Sequence, residues 1–214
     1  MVLSSRFAPL LASVAGNKDR TVLEVVYNHL FGIYDIPRKD YHNSSHIEHC
    51  LRELDESGHA NIPVELALFY HDAVYDPKEK DNEKRSADWA AYDLTVLQVP
   101  INTIVAVKRL IMATKHDVFP NETDDEKLIV DIDLAILGQE SKVFDHYCVT
   151  IREEYSHVED YGYAKGRIAF LKRLMQRPSI YQTDYFFNKY EIAARENIEW
   201  EIKRMHKIKM RDQM

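Results

Sequence analysis

Ala67-Leu68-Phe69-Tyr70-His71-Asp72-Ala73-Val74-Tyr75 sets a histidine and an aspartate side by side inside an apolar run. Pro63 suits the first turn of a helix and Pro77 closes the stretch, so the run reads as a buried helix carrying His71 and Asp72. Neighbours on a helix stand roughly 100° apart around its axis, and both can lean toward a third point between adjoining helices. An isolated buried carboxylate neutralises by raising its pKa. One that stays charged needs a cation or strong donors. A divalent metal held by two imidazoles and two carboxylates meets that need and makes a nucleophile from water at neutral pH.

Outward from this run the chain reads with helical period throughout, without sustained two-residue alternation. Toward the N-terminus, a first helix starts near Asp19, with Leu23, Val26, Tyr27, Leu30 and Phe31 on one face, and stops before Pro37. A second opens with the capping box Ser45-His46-Ile47-Glu48, turns Ile47, Cys50, Leu51 and Leu54 inward, and ends at Gly58. Beyond the His-Asp run, Asp81-Asn82 begins a helix with Ala87, Ala90, Ala91, Leu94 and Leu97 inside, and Pro100 opens another that ends near Thr114-Lys115-His116. Thr123-Asp124-Asp125-Glu126 is a second capping box, leading a helix through Asp131 and Asp133 to Gly138. Lys142 to Val158, Tyr163 to Gln176 and Asp184 to about Lys207 complete the set. The expectation is one all-α domain over 1–214, a helical bundle with its core at about 20–140 and helices 141–210 packed on it.

Composition agrees. The 214 residues are 45% apolar and 29% charged, as in ordinary globular proteins, and glycine is scarce at 6. A formal net charge of -7 argues against a nucleic-acid polymer as the main partner. Cys50 and Cys148 form neither a disulfide framework nor a Cys-x-x-Cys knuckle, which points to a reducing compartment. Met1 to Leu11 is too short an apolar run for a secretory signal and Pro9 breaks it; no stretch has the length of a membrane span. A cytoplasmic chain with no membrane partner is expected.

The chemistry-bearing residues take their places from these helices. His46 falls in a first turn, where its ring can point away from the apolar stripe. On the later helix, Leu128, Ile129, Ile132, Ala135 and Ile136 form the stripe, and Asp131 and Asp133 flank it on opposite sides; periodicity does not choose between them. Asn82-Glu83 starts a helix, where Glu83 favours the macrodipole, and it follows closely on the His-Asp run. Lys115 and His116 end one, where cations are favourable. Tyr181, Tyr185, Phe186, Phe187 and Tyr190 read as core aromatics.

His46, His71-Asp72 and Asp133, in that order, resemble the H…HD…D signature of the HD superfamily of metal-dependent phosphohydrolases. Tyr41-His42-Asn43-Ser44-Ser45-His46-Ile47, the run Ala67 to Pro77, Asp81-Asn82-Glu83 with Ser86-Ala87, and Asp131-Ile132-Asp133-Leu134 with Leu137-Gly138 look like one uncharacterised branch of predicted phosphohydrolases. Arg152-Glu153-Glu154-Tyr155, Gly166-Arg167 and Ala194-Arg195-Glu196-Asn197 fit the same branch, so the resemblance runs from about Arg38 to Asn197.

The resemblance implies an all-helical HD-type fold and a divalent metal (Mn, Co, Ni, Fe, Zn or Mg) on His46, His71, Asp72 and Asp133, with Asp133 preferred because a leucine follows it. A second metal would need more histidines between the pair and the last aspartate, where only His116 stands. The implied reaction is hydrolysis of a phosphoester or phosphoanhydride of a small molecule such as a nucleotide. Asp72 would orient the nucleophile, Glu83 would serve as base or water-orienting group, and Lys115 or His116 would neutralise phosphoryl charge. His42, Arg152, Arg167 and Arg195 are the candidates for binding substrate, the arginines through their planar forks. The loop from Val118 to Asn121 and the late helices are expected to shape the pocket. Two other readings stand beside this one: di-iron oxygenase chemistry on the same scaffold, and a non-catalytic protein that binds metal or nucleotide.

Overall fold

The computed structural model describes residues 2–17, 19–34, 40–59, 61–117, 119 and 121–211. Pro37, Arg38 and Val118, named above, lie outside them. The described residues are helical, with no strand among them, and the chain divides into two compact units, Met1–Val130 and Asp131–Met214.

The first unit holds α1 (Val2–Val14), α2 (Arg20–Tyr34), α3 (Ser44–Ser57), α4 (Ile62–Tyr70), α5 (Asn82–Val96), α6 (Ile101–Ala113) and most of α7 (Asp124–Leu134). Its centre is α4, whose Val64, Leu66, Ala67, Leu68, Phe69 and Tyr70 are all buried, so this helix is apolar around its whole circumference. Asn61 caps α4 by accepting from Val64 N, with Pro63 in the first turn.

Helix α1 departs from the expectation that helix begins near Asp19. It runs through Pro9, whose ring removes one backbone donor, and it is retained because Phe7 and Leu11 are fully buried. The Phe7 ring lies 4.6 Å from Phe69 and 5.9 Å from Tyr70. Tertiary burial here outweighs the local break that the proline signals.

Two helix starts show different chemistry. Thr123 and Glu126 form the expected capping box: Glu126 N donates to Thr123 Oγ1 (3.3 Å) and Thr123 N to Glu126 Oε2 (3.1 Å). Ser45 and Glu48 do not. Asn43 caps α3 instead, accepting from Ser45 N at 2.8 Å, so the helix starts at Ser44, two residues ahead of His46. Gly58 ends α3 with φ 72°, the left-handed stop expected of it.

In the second unit the 3₁₀ turn Ala135–Gly138 follows α7, then α8 (Ser141–Glu154), α9 (Asp160–Met175) and α10 (Asp184–Arg211). Helix α8 stops four residues short of Val158. Arg152 donates to the carbonyls of Tyr155 (2.7 Å) and Val158 (3.0 Å) and pairs with Asp160 (2.6 Å), bracing the turn into α9. Gly138 is not a left-handed cap, since Gly58 alone among the described glycines has positive φ; a methyl group at position 138 would run into Tyr190 of α10. Phe186 and Tyr181 are buried, as expected of core aromatics, whereas Phe187 is exposed.

Candidate metal centre

Helix α3 and the end of α4 bring the first site residues together. His46 lies in the first turn of α3 but faces inward, and it is buried. His71 is the C-terminal cap of α4, its backbone N–H on Ala67 O, and Asp72 lies in the turn beyond. The pair is therefore not mid-helix as the apolar run suggested: the helix ends at Tyr70, and side chains of α5 hold the segment beyond it.

That turn is built. Asn82 Nδ2 donates to Asp76 O (2.8 Å) and Asp76 N donates to Asn82 Oδ1 (3.1 Å). Ser86 Oγ accepts from Val74 N (3.0 Å) and donates to Val74 O (3.2 Å). The first turns of α5 thus satisfy backbone groups of the segment that carries Asp72, which gives Asn82 and Ser86 a positioning role.

The resulting geometry is tight. His46 Nε2 and His71 Nε2 are 3.1 Å apart, and Asp72 Oδ2 is 3.3 Å from the first and 3.0 Å from the second. His71 Nδ1 lies 2.9 Å from Leu68 O, a carbonyl that can only accept, so Nδ1 carries a proton and neutral His71 presents the lone pair of Nε2 to the centre. Three acceptors facing one another at this range repel unless protons or a cation lie between them. With protons rather than an ion between them, burial acts to raise the Asp72 pKa, but the charges of protonated His71 and His42 and hydrogen bonds from His46 and His71 outweigh it and hold the carboxyl well below its ordinary range.

From the sequence, Cys50 is legible only as an inward-facing position. It sits one turn beyond His46 on α3, fully buried, with Sγ 3.7 Å from His46 Nε2. One ligand atom each from His46, Cys50 and His71 lies within 4.8 Å of the others. The signal that could have found it is the i, i+4 spacing, which puts two donors on the same helix face.

These separations fit a divalent ion. Two nitrogens about 2.0–2.1 Å from one ion stand roughly 3.0 Å apart across an octahedral edge and roughly 3.3 Å across a tetrahedral one; a thiolate and an imidazole on a tetrahedral ion stand roughly 3.6 Å apart. The observed edges of 3.0, 3.1 and 3.3 Å match this set, whereas the Cys50 sulfur, 3.7 Å from Nε2 and 3.8 Å from Nδ1 of His46, rests against the ring and would have to turn outward to join an ion.

The surroundings add two aromatic supports. His42 stacks on Tyr75 with ring centroids 3.7 Å apart, and it acts electrostatically on Asp72. Tyr34, which no sequence signal singled out, is buried beside the centre and donates its hydroxyl to Phe69 O at 2.8 Å. Glu83 lies on the first turn of α5, half-buried, and within electrostatic reach of Lys115. Lys115 itself is exposed and pairs with Asp117 at 3.0 Å. His116 ends the turn after α6 with φ 59°, the stop conformation that glycine usually supplies.

In the second unit, Asp131 and Asp133 separate clearly. Asp131 is fully buried and accepts from Gln182 N (2.9 Å), Thr183 N (2.7 Å) and Thr183 Oγ1 (2.8 Å), so its oxygens hold the start of α10. Burial pushes its carboxyl up to about 6 against the pull of those donors. Asp133 is half-buried on the last turn of α7, and its charge acts on Tyr147. Arg152 and Arg195 are committed to structural partners; Arg195 donates to Glu191 Oε1 (2.7 Å) and points at the carbonyls of Arg177 and Pro178 (3.3 and 3.2 Å). Arg167 is buried in the second unit.

Among the described residues, no helix is long and apolar enough to cross a membrane. Comparison with protein-family models, with curated proteins and with solved structures found no match to this chain.

Proposed function

We propose that this chain is a metal-dependent phosphohydrolase of the HD type, cleaving a phosphoester or phosphoanhydride of a small molecule such as a nucleotide. The observation that carries the reading is the meeting of His46 Nε2, His71 Nε2 and Asp72 Oδ2 within 3.3 Å of one another, with His71 locked by Leu68 O in the tautomer that a metal requires. Asp133 is the proposed last ligand, on the ligand order it shares with the HD signature. Asp131 is left out because its oxygens already hold Gln182 and Thr183.

A divalent ion at such a site supplies a water nucleophile at neutral pH and polarises a phosphoryl oxygen. The chain's own groups do the rest. Asp72 holds its carboxylate ionised and orients the attacking water, Asn82 and Ser86 keep Asp72 in place, and Glu83 and Lys115, within electrostatic reach of each other, would serve proton transfer and phosphoryl charge. The Cys50 sulfur favours a thiophilic ion such as zinc, iron or cobalt over magnesium.

The test is a screen of phosphomonoesters, diesters and nucleoside triphosphates near neutral pH with Mn, Co, Ni, Zn or Mg added. Turnover that disappears together with metal binding in Asp72→Ala, while helical circular dichroism is retained, is the expected result. No hydrolysis with any ion overturns the reading.

A further inference from the structure

We propose that Arg167 and Tyr163 form a binding site for a single oxyanion, a phosphate or carboxylate group, inside the second unit. The site goes beyond the reaction proposed above and requires no metal.

Tyr163 and Arg167 are one turn apart on α9, so they share a face, and that face is buried among Tyr147 and Cys148 of α8 and Glu201 of α10. Aromatic rings cover the guanidinium: its central carbon lies 5.0 Å from the Tyr147 ring centroid and 5.8 Å from that of Phe170. The donors lie in the guanidinium plane, where the Tyr147 hydroxyl and the Cys148 thiol come within its reach. Nε and Nη2 of Arg167 have no hydrogen-bond partner, nor has the hydroxyl of Tyr163. These two nitrogens form one edge of the fork, the edge that grips two oxygens of a carboxylate or phosphate side by side.

The one carboxylate at hand does not fill it. Glu201, fully buried, gives both oxygens to Arg204, which donates from Nε to Oε2 (2.6 Å) and from Nη2 to Oε1 (2.9 Å). Its Oε1 stands 4.0 Å from Arg167 Nε, beyond hydrogen-bond reach. Glu201 is thus hydrogen-bonded to Arg204 alone, and the Nε–Nη2 edge of Arg167 is left without an acceptor. A buried cation that keeps its charge at every accessible pH is strongly unfavourable without a counter-charge. A monoanion seated on the fork fills that edge and takes the Tyr163 hydroxyl as a third donor. Arg152 and Arg195 offer no such edge, because backbone carbonyls and carboxylates occupy them.

The test uses the full chain freed of metal with a chelator, so that it stands or falls apart from the hydrolytic reading. Inorganic phosphate and, separately, acetate are titrated at constant ionic strength by calorimetry, with ³¹P line widths as a second readout for phosphate. Saturable binding of one anion per chain is expected, weakened about tenfold in Tyr163→Phe and at least as much in Arg167→Lys, which keeps the charge and loses the fork. Tyr163→Phe removes only a hydroxyl that no protein group uses, so it should fold normally and keeps the test decisive if the arginine variant does not. Preference for phosphate over acetate identifies a phosphoryl group as the ligand; the reverse identifies a carboxylate. Failure of both anions to bind, or equal binding by the natural chain and Tyr163→Phe, overturns the proposal.

Discussion

Replacing Gly138 by alanine should destabilise the second unit through one enforced clash. An added Cβ at position 138 falls 2.8 Å from both Cγ and Cδ1 of Tyr190 and closer still to its Cβ, whereas ordinary contact starts at 3.4 Å. Cγ and Cδ1 alone require a separation of 0.6 Å, the difference between 3.4 and 2.8 Å, and the nearer Tyr190 Cβ requires more. Rotation cannot relieve it, since the Tyr190 Cβ is fixed to the α10 backbone. The approach is locked from several points: Gln139 Nε2 donates to the Tyr190 hydroxyl at 2.8 Å, and Asn197 Nδ2 donates to the carbonyls of Leu137 and Gln139 at 2.9 Å each. Overpacking with backbone displacement costs about 3 kcal/mol. For a chain of this size that corresponds to a fall in Tm of roughly 6–12 °C. Gly166, exposed on α9 with nothing within 4 Å of an added Cβ, is the internal control. Gly166→Ala should gain up to about 1 kcal/mol from helix propensity alone. Urea denaturation followed by helical circular dichroism measures both. A loss below about 1 kcal/mol in Gly138→Ala, or an equal loss in Gly166→Ala, would refute the close-approach account.

Three further outcomes are expected. Cobalt-loaded protein should show a thiolate-to-cobalt absorption band that Cys50→Ser removes, with metal affinity falling about 10–100-fold; a natural chain without the band excludes Cys50 as a ligand. Asn82→Ala should weaken metal binding about tenfold and leave the helices intact, because it frees the segment around Asp76 that carries Asp72; unchanged affinity means the clamp is not what places the carboxylate. Asp131 should imprint a pH dependence on stability. Its folded pKa of about 6 exceeds the ordinary value of 3.8, so its contribution is fully present below the lower value and lost as pH rises through the upper one. The difference between 6 and 3.8 corresponds to about 3 kcal/mol between these limits. Denaturation across that window should show the decline in the natural chain and not in Asp131→Asn.

The helices are largely legible in the sequence because their signals are short-ranged. The Thr123-Glu126 box, Gly58, Pro63 and the stripes on α5 and α7 act within one or two turns, so neighbours in sequence suffice to read them. Helix α1 is not legible in this way: Pro9 speaks locally against a helix, and only the aromatic cluster of Phe7 with Phe69 and Tyr70 overrides it. The end of α4 escapes for the same kind of reason, since the groups that draw Asp72 out of the helix, Asn82 and Ser86, come 10 and 14 residues later.

By itself the sequence determined the helical class and most helix limits, and it singled out His46, His71 and Asp72, with one of two aspartates to follow, as candidates. Tertiary structure alone brought those three side chains within 3.3 Å, added Cys50 and Tyr34 to their surroundings, gave Asp131 to the amides before α10, and left one edge of the buried Arg167 unfilled. The physical reason is reach. Propensity and capping are decided by atoms a few residues apart, whereas ligand convergence and the counting of buried charge depend on packing between helices far apart in the chain.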